Sequence, residues 1–266
     1  MRDFTVHHDG VTLAVSRGGR GRPLVLCPGL LSTQADQREL VDLLRADHDV
    51  ITFDLRGHGR SSTADRYDFA AFLSDLTAVM AEVGRLDLPS PPVLAGYSLG
   101  ADLAVYYASE HPDTVSGLVL VDGANPLPEP FITDADAAQF QAMREDPEMW
   151  EEFERAKGTA HQMLLGVADL IALDREIDVV RAAILERFRE LDLPITMIMS
   201  LAIAGDSDEG RVPRHNANWR AGIERLVRAK PEIAASWLDG PHPLVFTHAR
   251  EIAEAIRKFQ RAPEFG

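Results

Sequence analysis

At 266 residues the chain is longer than a typical domain of roughly 100–200 residues and short for two. A hydrophobic share of 45% with 26% charged residues is that of an ordinary globular protein, which excludes disorder as the main theme. The net charge of −15 repels phosphate backbones and anionic lipid surfaces, so neither nucleic acid nor membrane is an expected partner. A single cysteine, Cys27, excludes an intrachain disulfide and a cysteine-built metal cage, and it fits a reducing, cytoplasmic setting. Met1 to His8 lacks the apolar stretch of a signal peptide. The longest apolar-rich run, Ile195 to Gly205, falls short of the ~18 residues that span a bilayer.

Phe4 to His8 and Val11 to Ser16 flank Asp9-Gly10, a pair suited to the positive backbone angles of a two-residue turn, which predicts an opening β-hairpin. Short apolar runs without polar alternation follow at Leu24 to Cys27, Asp49 to Asp54, Pro92 to Tyr97, Ser116 to Asp122, Pro194 to Ala204 and Ile233 to Leu238. Runs of this kind suit strands buried on both faces. Helical patterns lie between them at Ala35 to Ala46, Tyr67 to Gly84, Leu99 to Glu110, Asn216 to Lys230 and Thr247 to Arg261. The alternation predicts an α/β fold with a mostly parallel, eight-stranded, doubly wound sheet. Leu127 to Leu193 breaks it, with no strand signal and with helical spacing at Ile177, Val180, Ile184, Phe188 and Leu191. Pro126, Pro128 and Pro130 before it and Pro194 after it mark an inserted helical cap, residues 127–193, within a core of residues 1–126 and 194–266.

The motif with the most chemistry is Gly96-Tyr97-Ser98-Leu99-Gly100-Ala101, set between an apolar strand and a helix. A serine on so sharp a turn needs small residues two before and two after it, and Gly96 and Gly100 supply them. The following helix points its positive end at Ser98. Here the chain resembles the α/β-hydrolase family, serine-nucleophile branch with a helical cap, over nearly its whole length. The resemblance places the serine after the fifth strand, where Ser98 falls, and an oxyanion-binding loop after the third. Pro28-Gly29-Leu30-Leu31 occupies that loop, with Pro28 replacing the usual histidine. The amides of Leu30 and Leu99 are then the expected oxyanion donors. Asp54-Leu55-Arg56-Gly57-His58-Gly59-Arg60-Ser61-Ser62 resembles a further family segment that is chiefly a scaffold turn.

A serine hydroxyl needs an imidazole to accept its proton and a carboxylate to orient the imidazole. By the resemblance the base lies after the last strand, and His242 in Asp239-Gly240-Pro241-His242-Pro243 holds that place. His161, inside the insertion, reads as a partly exposed helix histidine. Gly205-Asp206-Ser207-Asp208 matches the family's Gly-x-x-Asp pattern after the seventh strand, which makes Asp208 the first candidate acid. Asp122, after the sixth strand, is the alternative used by a minority of relatives, and Asp206 is the third candidate.

These features together imply a serine hydrolase acting on a small to mid-sized, mainly apolar ester, thioester or lactone through an acyl-enzyme, with no metal or cofactor. Two rival readings stay open: a cofactor-free lyase, synthase or dioxygenase with His242 as base, and a non-catalytic ligand-binding relative. Leu31, Tyr97, Met143, Trp150 and Phe153 are candidate substrate contacts, and Phe131, Phe140, Met149, Met163 and Phe188 further candidate liners, although such stripes at helical spacing commonly pack a core. The insertion carries 16 acidic and 7 basic side chains, a balance that disfavours polyanionic substrates relative to neutral esters. The expected partner is a small molecule, and monomer and dimer are both open.

Overall fold

The computed structural model describes residues 2–261, so Met1 and residues 262–266 of the expected core lie outside the described chain. Strands β1 (Arg2–His8) and β2 (Val11–Gly19) form the expected hairpin, and Asp9 and Gly10 take the positive φ values, 48° and 74°, that its turn requires. After them come β3 (Arg22–Cys27), β4 (His48–Phe53), β5 (Val93–Tyr97), β6 (Gly117–Val121), β7 (Ile195–Ser200) and β8 (Ala234–Leu238). They form one eight-stranded sheet in the order β1-β2-β4-β3-β5-β6-β7-β8, antiparallel where β2 meets β1 and β4 and parallel from β4 to β8. The helices are α1 (Arg38–Leu44), α2 (Phe69–Val83), α3 (Leu99–Glu110), α4 (Ala137–Arg144), α5 (Pro147–Ala156), α6 (Val167–Glu190), α7 (Val212–Ala229), α8 (Leu244–Thr247) and α9 (Ala249–Arg261).

The inner apolar strands are buried on both faces, whereas β8, at the sheet edge, buries none of its residues, against the expectation for Ile233 to Leu238. Successive residues of β5 and β6 alternate between two cores: Leu94, Leu118 and Leu120 face the larger one with α2, α3, α6 and α7, and Val93, Ala95, Val119 and Val121 face the smaller one with α1 and α9. Cys27, 2% exposed, packs in the larger core as a small hydrophobe.

Two expectations change. The run Pro194 to Ala204 is not one long strand, because β7 ends at Ser200 and the chain turns, with the Gly205 amide donating to Ala202 O at 2.8 Å and Gly205 at φ 95°. Leu201, 40% exposed, and its neighbours therefore belong to the rim beyond the sheet edge, although their composition reads as strand. The segment between β6 and β7 is helical with no strand, and its helices differ in burial, although Arg144 of α4 is paired with Asp174 of α6. Helices α4 and α5 bury no residue, whereas Leu170, Leu173, Ile177, Ile184, Leu185 and Phe188 of α6 join the larger core beside α3. The connection from α5 to α6 is pinned to the turn after β4, where Gly59 N donates to Gln162 O (2.9 Å) and Leu164 N to Gly57 O (2.8 Å).

That turn is a polar scaffold, buried from Asp54 to Gly59. Arg56 grips Asp75 of α2 through two bonds of 2.6 and 2.7 Å and also donates to Arg66 O, with 2% and 0% of the two side chains exposed. His58, fully buried, donates from Nδ1 to Arg56 O at 2.7 Å, so its Nε2 is free to accept the Leu31 amide at 3.1 Å. Burial pushes its pKa down to about 4.

Two measurements follow from this turn. Asp75→Asn leaves a buried guanidinium without its counter-charge and should lower the urea unfolding free energy by about 3–5 kcal/mol. His58 stays neutral in the fold down to pH about 4, whereas an unfolded histidine takes up its proton near the ordinary value of about 6.5. Its contribution to stability is therefore complete above pH 6.5 and drains away as the pH falls towards 4. Urea midpoints across that window should drop more steeply for the wild type than for His58→Asn, and parallel curves would contradict the assignment.

Candidate active site

Parallel strands end together, and the residues just past β5, β6 and β8 meet at the carboxyl edge of the sheet. Ser98 follows β5 at φ 52° and ψ −121°, a conformation rare for a side chain larger than glycine's. Its neighbours permit the turn: a Cβ on Gly96 would lie 2.2 Å from Gly100 O, and one on Gly100 would lie 2.3 Å from Cys27 O. The Ser98 amide donates to Val121 O at 2.9 Å, tying the turn to β6.

The hydroxyl of Ser98 lies 2.9 Å from His242 Nε2, and His242 Nδ1 lies 2.8 Å from Asp122 Oδ2. The carboxylate that meets His242 is thus Asp122, immediately after β6, and not Asp208. Its side chain is wholly buried, and its other oxygen accepts both the amide and the hydroxyl of Ser200, each at 2.8 Å. Asp206 and Asp208 are exposed in the segment beyond β7, because the chain turns away after Ser200. The Gly-x-x-Asp pattern could not show this, since it depends on where β7 stops. Ser200 carried one signal, as a polar residue set within an apolar run.

Tyr97, a candidate substrate contact from the sequence, is 6% exposed and supports the histidine from behind. Its ring stacks on His242 with centroids 5.3 Å apart, and its hydroxyl donates to His242 O at 3.2 Å. Burial holds its phenol well above the ordinary range. The loop after β3 lies against the serine so closely that a Cβ on Gly29 would come within 2.9 Å of Ser98 Cβ. Leu31 turns there at φ 58° and gives its amide to His58, while among the described residues no hydrogen bond engages the amide of Leu30. Leu99 opens α3, and the first amides of a helix have no partner within it.

The remaining sequence candidates scatter. Phe188 is fully buried core, and Met163 is buried where its segment bridges His58. Trp150 donates Nε1–H to Arg144 O at 2.6 Å and meets Phe153 edge to face at 5.2 Å, so these two pack with each other within the insertion. Met143 is 39% exposed, with Arg211 Nη2 at 3.7 Å from its sulfur. His161 lies outside any helix, in the connection from α5 to α6, where it pairs with Asp36 of the loop after β3. Among the described residues no group of three or more His, Cys, Asp or Glu side chains is placed to hold a metal ion, and no helix is long and apolar enough to cross a membrane.

A serine bonded to an imidazole that is bonded in turn to a buried carboxylate can lose its proton as it attacks an electrophile. Known proteins resemble the chain in sequence and in fold. A Synechocystis sp. protein that carries the name of a non-heme chloroperoxidase is 28% identical over 270 residues, 91% of this chain and 92% of its own. A 2-succinyl-6-hydroxy-2,4-cyclohexadiene-1-carboxylate synthase of Pectobacterium atrosepticum is 36% identical over 130 residues, 47% of this chain and 49% of its own. Among solved structures, Est816, described as an N-acyl homoserine lactone degrading enzyme, superposes with a TM-score of 0.72 at 20% identity, covering 96% of this chain and 99% of that one. The profile of the alpha/beta hydrolase fold family matches residues 22–224. By its sheet, its serine turn and that match, the chain belongs to the alpha/beta hydrolase fold family.

Proposed function

We propose that the protein is a serine hydrolase that cleaves a small to mid-sized, mainly apolar ester, thioester or lactone through an acyl-enzyme. The observation that carries this reading is the continuous path from Ser98 Oγ through His242 to Asp122, with contacts of 2.9 and 2.8 Å. Ser98 Oγ attacks the substrate carbonyl as its proton passes to His242 Nε2. The carbonyl oxygen takes up the electron pair and is met by the amides of Leu30 and Leu99, which supply several kcal/mol where water is excluded. Collapse of that intermediate breaks the bond to the leaving group, which takes the proton from His242. Water then gives a proton to His242 Nε2 as its oxygen attacks the acyl carbon, and collapse of this second intermediate breaks the bond to Ser98 Oγ, which takes that proton from His242 as the acid leaves. Asp122, which takes the role the sequence had offered first to Asp208, holds the ring in the Nδ1–H tautomer and balances the imidazolium.

The insertion, residues 127–193, covers the carboxyl edge of the sheet in this reading and selects the acyl group. Its divided packing supports that role: α6 is fixed in the core, while α4 and α5 bury no residue and lie outside it. The second reading, a cofactor-free reaction with His242 as base on an acidic substrate proton, draws its support from the synthase relative of Pectobacterium atrosepticum.

A fluorophosphonate probe separates the two. Stoichiometric labelling of the wild type, abolished in Ser98→Ala, is expected, and an unlabelled wild type would remove the hydrolase reading. Activity that survives Ser98→Ala but not His242→Ala would establish base-only chemistry instead. Asp122→Asn should lower kcat by about 10⁴ through loss of the correct tautomer. Asp208→Asn and Asp206→Asn should leave kcat within about twofold, since exposed carboxylates away from the imidazole gain little from the site.

A further inference from the structure

One turn past the serine on α3 stands Asp102, a carboxylate with no solvent exposure and no part in the path from Ser98 to Asp122. It is held by Arg181 of α6, whose Nε lies 3.1 and 3.2 Å from its two oxygens and whose Nη2 lies 2.8 Å from Oδ2. Arg181 is fixed in turn beside Trp219 of α7, its guanidinium 5.6 Å from the ring centroid. Burial pushes the Asp102 carboxyl up, and Arg181 pulls it back towards the ionised form.

The partner left to Asp102 Oδ1 is the backbone amide of Ala124, at 3.1 Å. Ala124 and Asp122 both sit in the left-handed region, at φ 52° and 47°. Two such residues within one short turn are costly, and they persist only where the surroundings over-determine them. On its far side the turn is tied through Asn125 Nδ2, which donates to Trp219 O at 2.7 Å. Asp102 and Trp219 thus grip the segment that aims Asp122 at His242, and Arg181 touches both gripping residues.

We propose that Asp102, locked by Arg181, is a positioning residue for the site: by accepting the Ala124 amide it holds the left-handed turn that presents the Asp122 carboxylate to His242. The inference rests on the reading of Ser98, His242 and Asp122 as the reacting set. It also makes α6 a member of the catalytic framework, because a side chain from the insertion fixes the elbow helix and the acid turn together. The groups facing His242 are Ser98, Asp122 and the Tyr97 ring, with Asp102 acting on it through space and Arg181 acting likewise on Asp122.

The test compares two uncharged double variants. Asp102→Asn with Arg181→Met removes both charges yet keeps a carbonyl oxygen for the Ala124 amide, whereas Asp102→Leu with Arg181→Met removes the acceptor as well. Replacing a buried ion pair with uncharged side chains is commonly tolerated by a fold, so both are expected to remain folded. The leucine variant should lose about 100-fold in kcat and in fluorophosphonate labelling rate, the scale of a small misplacement, with KM within about threefold. Its ring ¹⁵N spectra should show His242 leaving the Nδ1–H tautomer, while the asparagine variant keeps that tautomer and most of its activity. Asp102→Ala with Arg181→Met gives the same reading should leucine not be accommodated. Equal kcat and an unchanged His242 tautomer in the acceptor-free variants at matched melting temperature would overturn the proposal. The tautomer reports the position of the carboxylate without turnover, so a wild type that fails to label would count against the hydrolase reading and not against this one.

Discussion

A carboxylate cut off from water must have its lone pairs answered, and the architecture around the serine follows from meeting that demand at Asp122. Ser200 supplies two donors from the end of β7, and His242 supplies one from the loop after β8. Asp122 therefore joins three parallel connections at the sheet edge. Its backbone, in turn, takes a conformation that a residue in a free loop rarely holds.

The same economy of buried charge recurs away from the serine. Arg56 with Asp75 fixes the turn after β4, and that turn, through His58, holds the loop after β3 by the Leu31 amide. Arg181 with Asp102 ties the insertion to α3. Buried ion pairs contribute little net stability when complete and cost much when broken, so their value lies in geometry. The first pair joins a turn to α2 and the second joins α6 to α3, and between them they hold the elements around the serine in a fixed arrangement.

The insertion illustrates the limit of dividing a chain by composition. Proline clusters and the lack of strand signal set its bounds, but they cannot tell a helix that roofs a pocket from one that packs under it. Helix α6 carries its apolar residues at helical spacing, as the sequence predicted, and that spacing is the same whether the buried face meets a cap or the core. Contact with α3 decided the matter. Tyr97 is a similar case: its place next to the serine suggested a substrate contact, and alternation along β5 turns it to the other side, under His242.

Local chemistry was legible in the residues themselves. Uniformly apolar runs fixed the buried strands, Asp9-Gly10 the hairpin, and the small residues around Ser98 the sharp turn, because each depends on a few neighbouring side chains and their allowed backbone angles. The position of His242 after the last strand was likewise open to reading, since it rests on the order of elements. The carboxylate that meets His242 was not. The order of elements offers Asp208 first and Asp122 as the alternative, and which of them meets His242 depends on where β7 stops, which strands lie side by side, and whether a buried carboxylate finds donors there. Those are properties of pairing across 120 and 78 residues, from His242 and Ser200 to Asp122, and they exist only once the sheet has formed.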